Sequence, residues 1–278
     1  MIFLALFIAV LIWSYSSLAQ RVQQDVWWFW WQKKIPTDLP VPVVVLLSVI
    51  LPAVLVAVLI DQLEHIAFGI LALPILIVVV IYGLGRGDMR KDWNHYVEEL
   101  QHGDYEAAFQ QSVKMSVLDA ETPVETPFDL HQYMRKAFCY YGLERCFAPV
   151  FWFVLLGPGA IIAYRLLVMA SQQSVEMCRF LQWAEWLPAR LLALSFALAA
   201  NFSTGFQRFQ EMLFAEKSLQ DVVGDCAIAA LELPVSAEHY ASNENLFSAA
   251  AREMVAVKSL MKRSYILWLV VIGFMLLI

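Results

Sequence analysis

The chain has 278 residues, of which 60% are hydrophobic and 16% charged, against about 45–50% and about 25% in a water-soluble domain. With 19 basic and 25 acidic residues its net charge is −6, which excludes the basic stripe of a nucleic-acid footprint. The apolar excess needs lipid as well as a protein core, so the expected fold is all-α: a polytopic membrane helix bundle of about 5–6 apolar segments with cytoplasmic helical segments between them.

Residues 1–85 read as N-terminal membrane helices. Residues 1–19 are apolar enough to span. Ser17-Leu18-Ala19 resembles a signal-peptide cleavage site, but no Lys or Arg precedes the run, which favours a retained helix. Arg21, Lys33 and Lys34 surround Trp27, Trp28, Trp30 and Trp31, as at a membrane–water interface, and an interfacial helix without further role accounts for them. Residues 41–60 form a second apolar run, kinked at Pro52, and 66–83 a third. The connection Asp61 to His65 holds no Lys or Arg. Gly83-Leu84-Gly85-Arg86-Gly87-Asp88 fits neither phosphate-loop spacing and is read as glycines that end a helix.

Residues 86–145 read as a cytoplasmic helical segment. Trp93, Tyr96, Val97 and Leu100 recur at helical spacing. Gly103 breaks that helix and Asp104 caps the next. Thr122-Pro123 and Thr126-Pro127 mark a loop, with another helix from about Leu130. Residues 146–202 read as membrane helices with a Gly157-Pro158-Gly159 break, and 146–170 either spans or re-enters. A linker at 171–182 leads to an apolar run at 186–202. Residues 203–263 read as a second cytoplasmic helical segment and 264–278 as a C-terminal membrane helix. Arg86, Arg90, Lys91, Arg135, Lys136 and Arg145 flank the first polar segment, and Lys258, Lys262 and Arg263 precede the last run, which places both segments on the cytoplasmic side.

The four cysteines, Cys139, Cys146, Cys178 and Cys226, form no CxxC pair and are read as reduced packing residues. His95 and His102 lie seven apart among carboxylates without the i,i+4 histidine pair of a helical zinc site, so a solvated face is expected; His131 is read as packing or capping. No metal-binding or catalytic residue is assigned. Arg165 and Arg190 stand in or at apolar runs. Either their heads snorkel to water, or they form an anion site with the N–H groups of the helix that resumes after Gly159, with Glu185 holding Arg190.

Glu144 to Trp152, Leu156-Gly157-Pro158-Gly159-Ala160, Tyr164-Arg165 and Glu185-Trp186-Leu187-Pro188-Ala189-Arg190-Leu191 resemble the AmpE family; so do Gly85 to Asp88, Gly103 to Ala108 and Leu267 to Val271, all in order. The resemblance implies a multi-pass protein of the bacterial inner membrane, a regulatory transducer in β-lactamase induction and cell-wall recycling, non-catalytic or weakly catalytic. The chain is more distantly similar to the CobD/CbiB cobalamin-biosynthesis family through Ala148 to Trp152, Gly157 to Ala160, Tyr164-Arg165 and Trp186 to Arg190. That likeness implies the alternative, an ATP-dependent membrane enzyme with a different substrate and Glu144 as its acidic candidate. The ligand-binding set is Gly157, Gly159, Tyr164, Arg165, Glu185 and Arg190. The partners expected are the lipid bilayer, an anionic small ligand and a protein of cell-wall recycling. No cofactor is expected, ATP entering only under the alternative.

Overall fold

The computed structural model describes residues 2–15, 22–36, 39–64, 72–85, 89–115, 124, 126–236, 238–241 and 246–277. The expectations placed on Ser17-Leu18-Ala19, Arg21, His65, Arg86 to Asp88 and Thr122-Pro123 lie outside the described residues. The described chain is all-α, without a strand. It forms two compact units, one of Met1–Gly87, Glu144–Pro188 and Ile272–Ile278, the other of Asp88–Leu143 and Ala189–Val271.

In the first unit the helix Pro158–Ser171 packs against Leu51–Glu64, Ala72–Gly83 and Ala148–Leu156, while Ile2–Tyr15 packs on Ala72–Gly83. The stretch Val41–Leu63 is the one described helix long and apolar enough to cross a membrane; Phe3–Trp13, Ala72–Gly83 and Pro158–Ser171 are apolar but shorter. Val54, Leu55, Val58 and Leu59 of that long stretch are exposed. The Gly-Pro-Gly break is real: one helix ends at Leu156 and the next starts at Pro158, with Gly157 at φ 83°, a conformation that glycine alone adopts at little cost.

In the second unit Trp93, Tyr96, Val97 and Leu100 are buried on the helix Met89–His102, as their spacing predicts, and Phe138 lies against Trp93 with ring centroids 4.0 Å apart. The Asp104 carboxylate accepts from the Ala107 N–H at 2.9 Å and caps Tyr105–Lys114. The following helix begins earlier than its apolar pattern indicates: Thr126 is its N-cap, accepting from Asp129 N–H at 3.1 Å, and Pro127 sits at the first turn, where a missing N–H costs nothing. Leu219–Ala230 packs on Pro127–Gly142 and on Phe202–Met212.

Two boundaries differ from the sequence reading. The expected 171–182 linker is helical from Val175, where the helix Val175–Ala199 begins. The C-terminal apolar run is the end of a 32-residue helix, Leu246–Leu277, that starts inside the polar segment. All four cysteines are free, and Cys139, Cys146 and Cys226 are buried.

Candidate functional site

Three prolines inside helices set the geometry of the first unit. A proline has no N–H, so the carbonyl it would have served loses its helical donor. Each such carbonyl finds a donor from another part of the chain. Ahead of Pro52 the helix widens to π geometry over Leu46–Ile50, with the Leu51 N–H bonded to Leu46 O. In that register the next donor is Pro52, and Trp31 Nε1 serves the Leu47 carbonyl instead, at 3.0 Å. A second π turn, Leu143–Phe147, precedes Pro149. There the Tyr164 hydroxyl lies 3.2 Å from the Glu144 carbonyl, and the Gly85 N–H donates to the Arg145 carbonyl at 2.9 Å. Ahead of Pro188, Trp152 Nε1 donates to the Ala184 carbonyl at 3.2 Å. In water-poor surroundings each orphaned carbonyl would cost about 1–3 kcal/mol. Gly85 must be glycine for this: a Cβ there would lie 2.3 Å from Arg145 Cβ.

Tyr164 also lies 2.6 Å from Glu185 Oε1, and Glu185 is fully buried. Its hydroxyl proton is shared between carboxylate and carbonyl, which ties Pro158–Ser171 to Val175–Ala199. One residue on, Arg165 pairs with Asp25, Nη2 to Oδ2 at 3.5 Å. Asp25 Oδ1 accepts from the Tyr82 hydroxyl at 3.0 Å, and Tyr82 accepts from Trp27 Nε1 at 3.1 Å. Gln23 Nε2 reaches the carbonyls of Ile81, Leu84 and Gly85 at 2.9, 3.2 and 3.3 Å, closing the C-terminal end of Ala72–Gly83. The aromatic 20–40 segment therefore does more than sit at an interface: Gln23, Asp25, Trp27 and Trp31 are all bonded to apolar helices. Asp25 is the residue of this network that the sequence reading missed. Its signal was a carboxylate beside a tryptophan cluster in a chain that also carries an arginine inside an apolar run.

Of the sequence-predicted set, Tyr164 and Glu185 are brought together, and Arg165 is turned to Asp25. Gly157 makes the break. Gly159 lies against the helix Leu51–Glu64, where a Cβ would stand 2.9 Å from Ala57 Cβ and 3.0 Å from Ala53 O, so its small size serves close packing. Six residues of helix, a rise of about 9 Å, separate it from Arg165. Arg190 falls in the second unit, where its Nε donates to the Leu213 carbonyl at 3.4 Å.

The second unit holds a buried polar cluster. Glu253 Oε2 is 2.9 Å from His131 Nε2 and 2.8 Å from Arg135 Nη1, and its Oε1 accepts from the Tyr240 hydroxyl at 2.8 Å. Burial lowers the pKa of His131, a bond to Glu253 opposing it. For Glu253 burial acts upward, but the bonds from His131 and Tyr240 and the charges of His131 and Arg135 hold it below the usual carboxylate range. Beside it, Lys136 bridges Asp221 and Asp225 at 2.9 and 2.8 Å at the rim of a cleft of about 370 Å³ lined also by Gln132, Thr204, Arg208 and Glu232.

Comparison with known proteins gives one positive finding. A family model described as "Regulatory signalling modulator protein AmpE" matches residues 35–275. No curated protein and no solved structure matches the chain, and a likeness to CobD/CbiB is not shown. The matched region takes in the Pro52 and Pro149 π turns, the Gly157 break, Tyr164-Arg165 and Glu185, and a match over that much of its length means that this chain belongs to the AmpE family of regulatory signalling modulators.

Proposed function

We propose that this protein is a multi-pass transducer of the bacterial inner membrane that controls β-lactamase induction in response to cell-wall recycling, and that it does so by binding a small anion at Arg165. Family membership supports the regulatory role, and the Arg165–Asp25 pair at 3.5 Å carries the mechanism. An arginine set among apolar helices is costly unless paired, and here an aspartate of the same unit supplies the pairing charge. A ligand carboxylate or phosphate has the two oxygens that a guanidinium takes as a fork, so it competes with Asp25. Displaced, Asp25 releases its hold on Tyr82, which loosens one of the ties between the 22–32 segment and the helix Ala72–Gly83. The signal is that change of tie, passed to a protein partner of cell-wall recycling without a cofactor or a chemical step.

The test is β-lactamase induction in cells lacking the native gene and complemented with variants at equal expression. Asp25→Asn removes the carboxylate charge with which the ligand competes for Arg165 and is expected to shift the response to lower inducer concentration, by about 5–150-fold if the coupling is of the usual allosteric size. Arg165→Ala is expected to abolish it. Wild-type induction in both variants would remove Arg165 and Asp25 from the mechanism.

A further inference from the structure

We propose that Arg135 forms a second, internal binding site, specific for a small carboxylate, within the helical cluster of the second unit. The Arg135 side chain is 0% exposed. Its Nη1 faces Glu253 Oε2 at 2.8 Å, the Pro234 carbonyl at 2.9 Å and the Tyr240 hydroxyl at 3.4 Å. Its Nε and Nη2 are equally buried and have no hydrogen-bond partner among the described residues. Those two nitrogens are not a random pair: Nε–H and one Nη2–H run parallel along one edge of the guanidinium plane. That edge accepts the two oxygens of a carboxylate side by side. One buried donor without a partner costs about 1–3 kcal/mol, more on a charged group, so a fully buried arginine whose forked edge is unserved among the described residues is poised to take a guest.

The guest's class follows from shape and charge. A planar carboxylate meets both N–H groups at once, which a spherical halide does not. Arg135 and Glu253 already cancel each other's charge, so an added anion needs one further positive charge. His131, bonded to the same Glu253 oxygen and with Nδ1 buried and without a partner among the described residues, can take the proton that supplies it. Burial limits the guest to formate or acetate size.

Formate and acetate are the probes, used on the full-length protein in detergent with chloride at matched ionic strength. Thermal unfolding is expected to rise with formate or acetate, saturably and by a few degrees (about 2–4 °C for a stabilisation near 1 kcal/mol in a protein of this size), and not with chloride. Arg135→Lys keeps a cation for Glu253 but loses the fork, and is expected to lose the response. Should that variant not fold, the ¹⁵N-edited Nε–H resonance of Arg135 in the wild-type protein decides: a saturable shift on adding formate supports the site. Equal behaviour in carboxylate and chloride, or an Nε–H resonance that formate leaves in place, overturns it and leaves internal water as the partner of that edge.

Discussion

His131 is 2% exposed, bonded through Nε2 to Glu253 and stacked edge-on to Tyr240, and its environment makes the folded state sensitive to acid. Burial holds its pKa below the unfolded value of about 6.5. As pH falls through that value the unfolded chain takes up a proton that the folded chain resists, so stability is complete above it and declines toward the lower folded pKa. Glu253, also held low, contributes in the same direction: its stabilisation is present above the unfolded carboxylate value and fades as pH drops through the folded one. Urea midpoints of the full-length protein measured from pH 8 to pH 5 are therefore expected to fall on the acid side. In His131→Gln, whose amide can still donate to Glu253, the decline beginning near pH 6.5 should vanish. A wild-type midpoint that does not move across this range would mean that His131 is not held neutral. Residues of this kind were only partly legible. Arg165 stood out because a cation in an apolar run is costly wherever it lies, whereas Asp25 and Glu253 lie outside any such run. Their partners are 140 and 122 residues away, and no local pattern carries that information.

At the scale of helices, proline was legible as a kink at Pro52 but not as an organiser. Pro52, Pro149 and Pro188 announce missing donors, and Gly157 announces a turn; which side chain answers each missing donor depends on how the helices pack. The answer recurs in form, since tryptophans serve two of the orphaned carbonyls, at Leu47 and Ala184. Trp152 in an apolar run reads from sequence as packing bulk, yet its Nε1–H is what Pro188 makes necessary. This coupling is measurable as a double-mutant cycle. Trp152→Phe keeps most of the ring and removes the donor, and is expected to destabilise by about 1–3 kcal/mol. Pro188→Ala restores a backbone N–H for the Ala184 carbonyl, so in that background the same Trp152→Phe change should cost much less. Unfolding titrations on the four proteins give the interaction energy; additivity within about 0.5 kcal/mol would show that indole and proline are independent. Boundaries were the weaker part of the reading. The shift from polar to apolar composition near residue 264 reads as an element boundary, but no proline interrupts Leu246–Leu277 and its one glycine, Gly273, lies in the last turns. One helix therefore runs through two compositions. At Thr126 the reverse holds: the apolar pattern begins at Leu130, and the cap and Pro127 carry the helix back to its true start.

For the molecule as a whole, composition demanded a surface that water does not favour, and Val41–Leu63 is where that demand is clearest. At about 1.5 Å per residue its 23 residues reach roughly 34 Å, and the hydrocarbon of a bilayer is about 30 Å thick. A core helix of a soluble protein passes the same test of length, but such a helix is covered by protein, and here only 22% of the most apolar window is buried. Leu55 is 61% exposed, with Val54, Val58 and Leu59 on either side at half exposure or more. With lipid proposed as the cover of this face, a charge placed on it should be rejected. Leu55→Lys puts an ammonium near the middle of the run, at a cost of about 2.5–3.5 kcal/mol on insertion scales. It is expected to lower the fraction of the protein that resists alkaline extraction from membranes, whereas Leu55→Phe, equally bulky and apolar, leaves it unchanged. The buried side gives the control: Ser48 is fully buried in the same helix, so Ser48→Lys would fail through packing, with loss of the folded protein in any solvent. If Leu55→Lys were retained in the membrane as well as the wild type, this face would be covered by protein, and the apolar excess of the chain would have to be housed elsewhere.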